Sequence, residues 1–246
     1  MFADVTSANI VGYKNEQLTA KSLASGPVFV SIGSDGAKLS TFALSGLNPA
    51  VAVPGTITVQ TLTDMGSKDK LYKYYQNMPS GPFAGKKGWF DESNQQVTAE
   101  KDVTFPRGQG LWIKGLANVQ LTISGEVDLS EYTQPLTAKS VLTCNPYPVA
   151  IYLSKNVELL GLNPAVAVPG TITVQTLTDM GSKDRLFKYY QNMPSGPFAG
   201  KKGWFDESNT QISADNDFEI PAGKGLWIKG LANTSIKFSY EADAAE

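Results

Sequence analysis

The sequence predicts an all-β protein of two tandem homologous domains, each a β-sandwich or barrel-like unit. Three observations predict it. The stretch Gly46–Asn94 returns as Gly161–Asn209 with only two changes, Lys70 to Arg185 and Tyr72 to Phe187. The same 115-residue offset carries Gly110–Asn118 onto Gly225–Asn233, and Leu18–Ser22 recurs as Leu136–Ser140. Between turn residues, apolar side chains alternate with a period of two, and no window holds a helical period beyond about two turns. A repeat this long marks tandem domains rather than a solenoid, because each copy can bury its own core. The boundary falls near Val127–Thr133, giving domains 1–128 and 129–246.

Taken in order, Val28, Val30 and Ile32 alternate with polar or aromatic neighbours, and Gly33-Ser-Asp-Gly36 predicts a hairpin into a strand around Phe42–Leu44. Thr56–Leu62 is alternating and rich in β-branched residues, so it reads as a strand. Leu71–Tyr75 follows as a polar-aromatic strand. Asn77–Gly88 carries prolines and glycines and is a loop. Short strands are expected at Trp89–Phe90, Val103–Phe105, Gly110–Gly115 and Val119–Ile123. The second copy repeats them at Val149–Leu153, Val157–Leu159, Ile172–Leu177, Leu186–Tyr190, Phe218–Ile220, Leu226–Ile228 and Ile236–Tyr240.

Composition narrows the function. The chain has 246 residues, 21 basic and 23 acidic, with no basic run longer than a pair, so a nucleic-acid or acidic-membrane face is not expected. No apolar run approaches the ~20 residues of a membrane-spanning helix. Histidine is absent, which removes the commonest general base near neutral pH and the commonest transition-metal ligand. The single cysteine, Cys144, excludes an intramolecular disulfide and reads as a small buried residue. The acids Asp64, Asp69, Asp91 and Glu92, with twins Asp179, Asp184, Asp206 and Glu207, read as solvated turn residues. Their spacing fits no EF-hand loop. No enzyme, metal site or cofactor is expected.

Two constellations remain. Tyr74, Tyr75, Phe83, Trp89 and Trp112 with Lys86 and Lys87, and their twins Tyr189, Tyr190, Phe198, Trp204 and Trp227 with Lys201 and Lys202, could form an aromatic platform with donors of the kind that binds glycans. The competing reading is that these aromatics fill the β core. The second constellation is for assembly. Asn9, Ile10, Val11 and Tyr13 open the first copy, and Ile236, Phe238 and Tyr240 close the second. If the surface joining the copies were reused between chains, growth would run head to tail, and an opening strand could complete a neighbour's sheet.

Thr6–Tyr13 (TSANIVGY), Ser124–Leu129 (SGEVDL) and the Gly110-Leu-Trp-Ile phrase resemble bacterial secreted proteins of unknown role. Those proteins begin with a similar Ser-Ala-Asn-Ile-Val-Gly-Tyr after a signal peptide and often carry two such β units. The resemblance implies export from a bacterium and supplies no activity. The sequence therefore points to a structural subunit of an extracellular fibre, tube or surface layer, with self as partner. The alternative is a secreted carbohydrate-binding or adhesin module.

Overall fold

The computed structural model describes residues 11–21, 23–31, 33–64, 67–179 and 182–240. Nearly all regular structure in it is strand. The first copy contributes β1 (Val11–Gln17), β2 (Leu23–Ser25), β3 (Phe29–Val30), β4 (Gly36–Lys38), β5 (Ala43–Ser45) and β6 (Val53–Asp64). It continues with β7 (Ser67–Gln76), β8 (Gly88–Phe90), β9 (Thr104–Pro106), β10 (Leu111–Lys114) and β11 (Gln120–Val127). The second copy contributes β12 (Tyr132–Leu136), β13 (Ser140–Cys144), β14 (Ile151–Tyr152), the single turn α1 (Leu153–Asn156) and β15 (Val157–Leu160). It ends with β16 (Val168–Asp179), β17 (Ser182–Gln191), β18 (Gly203–Phe205), β19 (Glu219–Ile220), β20 (Gly225–Lys229) and β21 (Thr234–Phe238).

Each copy builds the same pair of facing sheets. In the first, β2-β10-β6-β7-β8 form one sheet, while β11 joins β1 on one side to β3 and β5 on the other. The second copy has β13-β20-β16-β17-β18 and β12-β21-β15. Every described strand order is an open path, so no sheet closes into a barrel. Ile57 and Val59 of β6, Ile113 of β10 and Leu121 and Ile123 of β11 share one fully buried cluster, which both sheets of that copy supply. Ile172, Val174, Ile228, Ile236 and Phe238 do the same in the second copy. The alternation read in Thr56–Leu62 works as expected, since every second residue of β6 faces this core.

Some expectations change. The Val28–Ser31 and Phe42–Leu44 segments do not form a hairpin with each other, and Ile32 lies outside the described residues. β3 and β5 instead pair separately with β11, at Phe29–Val30 against Val127–Glu126 and at Ala43–Ser45 against Thr122–Gln120. Gly33–Gly36 still turns the chain, closed by Ser31 N donating to Gly36 O at 2.7 Å, but it leads into β4, whose partner is β9. Val149–Leu153 is only partly strand, because Leu153 begins α1. β6 and β16 carry a bulge after Pro54 and Pro169. There Gly55 and Gly170 have φ near +76° and +75°, and an added Cβ would meet the Tyr75 or Tyr190 ring within 3 Å.

The copies join through equivalent residues. Ser25 Oγ donates to Gly223 O at 3.2 Å, and its counterpart Thr143 Oγ1 donates to Gly108 O, the counterpart of Gly223, at 2.6 Å. Two isolated bridges are related in the same way, Ser25 to Lys224 and Thr143 to Gln109. The side chain of Lys14 crosses Gly223, while Tyr132, in the matching position of the second copy, crosses Gly108. Both glycines have positive φ and a Cβ on either would collide. Between them lies a small apolar cluster in which Trp112 and Ala24 face Trp227 and Leu142, with Leu177 buried in it and Leu62 against its edge. A contact in which residue i meets j and j meets i is isologous, so it closes on itself.

Arg107 locks the segment between the copies. Its guanidinium donates to the carbonyls of Asp128, Ser130 and Glu131, pairs with the Asp128 carboxylate at 3.0 Å, and lies 5.8 and 5.7 Å from the Tyr132 and Tyr147 rings. Burial raises the Asp128 pKa, but hydrogen bonds from Ser130 and the Arg107 charge outweigh it and hold the carboxyl below its usual range.

Candidate functional site

The structure divides the proposed aromatic platform. Along β7, Tyr74 and Tyr75 are adjacent, so the pleat sends them to opposite faces. Tyr74 meets Trp89 edge-on at 5.4 Å, and Tyr189 meets Trp204 at 5.2 Å. Trp89 and Trp204 are 3% and 4% exposed and lie in the two main cores. The indole N–H of Trp89 donates to Phe42 O, just ahead of β5, at 3.4 Å. Burial raises the pKa of Tyr74 and Tyr189.

On the other face, Tyr75 stacks on Phe83 at 3.8 Å, Phe90 stands edge-on to both, and Lys86 lies 5.9 Å from the Phe90 ring. Tyr190, Phe198, Phe205 and Lys201 repeat this cluster. Its faces are spent on one another, so no continuous exposed aromatic row results. Lys86, Lys87, Lys201 and Lys202 are exposed.

Lys87, Tyr74 and Trp89 do come together with Phe42, Leu44 and Gln96 around a cleft of about 430 Å³, at the edge where β5 and β8 approach. The matching cleft of the second copy holds Lys202, Tyr189 and Trp204 and is about 780 Å³. Its rim differs in chemistry, because Lys237 bridges Glu158 at 2.9 Å and Glu131 at 3.2 Å. Those two carboxylates raise the Lys237 pKa by hydrogen bonding. The buried tryptophan edges in the clefts' floors leave little apolar face for a sugar ring to stack on.

Four of the acids take defined hydrogen bonds. Asp91 Oδ1 accepts from the Ser93 and Gln95 amides at 2.9 and 2.8 Å, and Asp206 Oδ1 accepts from Ser208 and Thr210 at the same distances. Asp69 and Asp184 accept from Thr61 and Thr176. No group of three His, Cys, Asp or Glu side chains that could hold a metal ion occurs among the described residues. Cys144 is fully buried between the copies, and burial pushes its thiol up to about 12.

The assembly residues are placed unevenly. Asn9 and Ile10 lie outside the described residues. Val11 and Tyr13 are 65% and 70% exposed, on β1, an edge strand already paired on its inner side with β11 of the same chain. Ile236 and Phe238 are fully buried, and β21 is hydrogen-bonded on both sides by β12 and β15, so it offers no edge to a neighbour. Tyr240 is half-buried against Tyr147. Sequence reasoning missed Arg107 and the Ser25/Thr143 pair. The available signal was that Arg107 stands where the second copy has Ala222.

No family model, curated protein or solved structure matches the chain. Among the described residues, no helix is long and apolar enough to cross a membrane.

Proposed function

We propose that the chain is a non-catalytic structural subunit of an extracellular bacterial assembly, such as a fibre, tube or surface layer, made of two tandem β-sandwich domains that bind further copies of the same chain. The observation carrying this reading is the joint between the copies. Reciprocal contacts at Ser25–Gly223 and Thr143–Gly108 make one subunit a pseudo-symmetric pair. A pair related by a two-fold presents every outer surface twice, which is the valence a polymer needs. Because the joint is reciprocal, we place growth at a separate outer contact rather than at a reuse of the joint between chains.

Acids engaged with backbone amides and a buried thiol support the non-catalytic part of the reading. A glycan-binding module ranks second, since its tryptophans are buried and only the lysine-edged clefts favour it. Negative-stain microscopy with light scattering tests the proposal. Ordered polymers are expected, and dispersed single chains that bind a glycan array would favour the rival.

A further inference from the structure

The Gly46–Asn94 repeat carries only two changes, and both fall on one cavity. Lys70 and Tyr72, two residues apart on β7, line a cavity of about 340 Å³ between that strand and the connection from β8 to β9. Asp91, Glu92, Gln95, Lys101 and Val103 line it from the connection. In the second copy Lys70, Tyr72, Gln95, Lys101 and Val103 become Arg185, Phe187, Thr210, Asn216 and Phe218. There the Phe187 and Phe218 ring centroids lie 4.5 Å apart, at the positions where the first copy sets a phenol and a small side chain around open space.

Folding alone does not account for the Tyr72 hydroxyl. Phe187 fills the matching core position at 3% exposure, against 4% for Tyr72, so a ring without a hydroxyl packs there equally well. A buried phenol takes a polar neighbour. Burial, then the carboxylates of Asp69, Asp91 and Glu92, raises the Tyr72 pKa, so the hydroxyl keeps its proton and lies on the carboxylate side of the cavity.

The wall is mixed and balanced. Lys70 and Lys101 face Asp91 and Glu92, which leaves no net charge to select an anion or a cation. Asp91 spends Oδ1 on the Ser93 and Gln95 amides, and a carboxylate has further lone pairs to offer. Leu71, Val97 and Val103 add apolar surface beside these groups. The volume lies at the lower end of the ~300–1,000 Å³ of small-molecule pockets. A hexose matches this mixture, with hydroxyls that both donate and accept around apolar C–H faces and no charge.

We propose that this cavity of the first copy binds one neutral hexose unit. Tyr72, Asp91 and Lys101 take its hydroxyls, and Val97 and Val103 take its C–H face. The site is separate from the lysine-edged clefts, and it stands whether or not the subunit polymerises.

NMR shift mapping tests this with glucose, galactose and mannose, each free and as the methyl glycoside. The proteins are the parent, Tyr72→Phe, Lys101→Asn and the double variant Tyr72→Phe/Val103→Phe, each substitution copying the second copy. At least one sugar should bind the parent once per chain, shifting amides in 91–103 and not in 206–218. Tyr72→Phe should weaken binding about 3- to 10-fold, the loss of one hydrogen bond. The double variant should abolish it with a cooperative thermal melt retained. Lys101→Asn, at an exposed position, should also weaken binding and carries the test if the double variant does not fold. Absence of shifts with every probe at millimolar concentration overturns the inference. So does binding that Tyr72→Phe and Lys101→Asn leave at the parent's level, which would put the sugar in another cleft. Equal binding of a sugar and its methyl glycoside marks a glycan end as the ligand, and loss on methylation marks the free sugar. Sedimentation of the same variants should match the parent, so failure here is distinct from failure of the structural-subunit reading.

Discussion

Ser25 and Thr143 hold equivalent places in the two copies, and each donates its hydroxyl into the other copy, Ser25 to Gly223 O and Thr143 to Gly108 O. The acceptors are themselves equivalent, so one hydrogen bond is written twice about an internal two-fold. The pair differs in its surroundings. Both are buried, but Ser25 also accepts from Lys14 at 2.8 Å and shares its one hydroxyl proton between Gly223 O and the Glu16 carboxylate, which lies at 2.5 Å.

Replacing Thr143 with Val keeps the shape and removes one of two hydrogen bonds to the Gly108 carbonyl, which still accepts from the Cys144 amide at 2.9 Å. It should lower unfolding stability by about 0.5–1.5 kcal/mol, the usual net worth of one hydrogen bond. Ser25→Ala should cost less, since the Ser25 proton is shared with Glu16 and the Gly223 carbonyl takes only part of it. Denaturant unfolding of both variants checks the order, and equal effects near zero would show that the joint is not held this way.

Trp89→Ala should cost about 3–5 kcal/mol, because it empties a core position and breaks the indole bond to Phe42 O. Trp204→Ala should also destabilise its copy, because it empties the matching core position. A thermal melt of either variant that overlays the parent would mean that the tryptophan is a surface platform after all.

Arg107→Ala should destabilise by about 2–3 kcal/mol, through several lost hydrogen bonds to the segment at Asp128–Glu131. The Asp128 pKa is lowered in the folded protein, so its contribution is present above the usual carboxyl value of 3.8 and disappears as pH falls below it. The parent should therefore lose stability more steeply in acid than the Arg107→Ala protein. Parallel acid-unfolding curves would contradict the clamp.

Cys144 should resist thiol reagents at pH 8 until the chain unfolds. Its folded pKa is raised, so the stabilisation is full below pH 9.0, where the unfolded thiol titrates, and declines as pH climbs toward about 12. Burial raises Tyr132 from 10.0 to about 12 in the same window. Cys144→Ala should flatten the alkaline limb without abolishing it. Rapid native labelling would show that the joint opens.

The all-β fold was readable because β6 and β16 combine period-two alternation with β-branched residues, and their partners β7 and β17 alternate aromatic with polar ones. Polar strands were not. Tyr132–Leu136 contains Gln134 and Pro135 and is held as a strand by its pairing with β21, which local sequence cannot announce. The Gly33–Gly36 turn was visible, but its partner was not, since β11 recruits both β3 and β5 across a long separation. The aromatic site was legible as a set of residue types, with the β core as the competing reading of its tryptophans. The same alternation used to assign β7 already sends Tyr74 and Tyr75 to opposite faces.

The most direct test of the account is the mass of the parent protein in solution over a wide concentration range, followed by sedimentation velocity. Self-assembly through two equivalent outer faces predicts a broad series of species that lengthens with concentration. A single sharp boundary at 26.4 kDa at every concentration would contradict it.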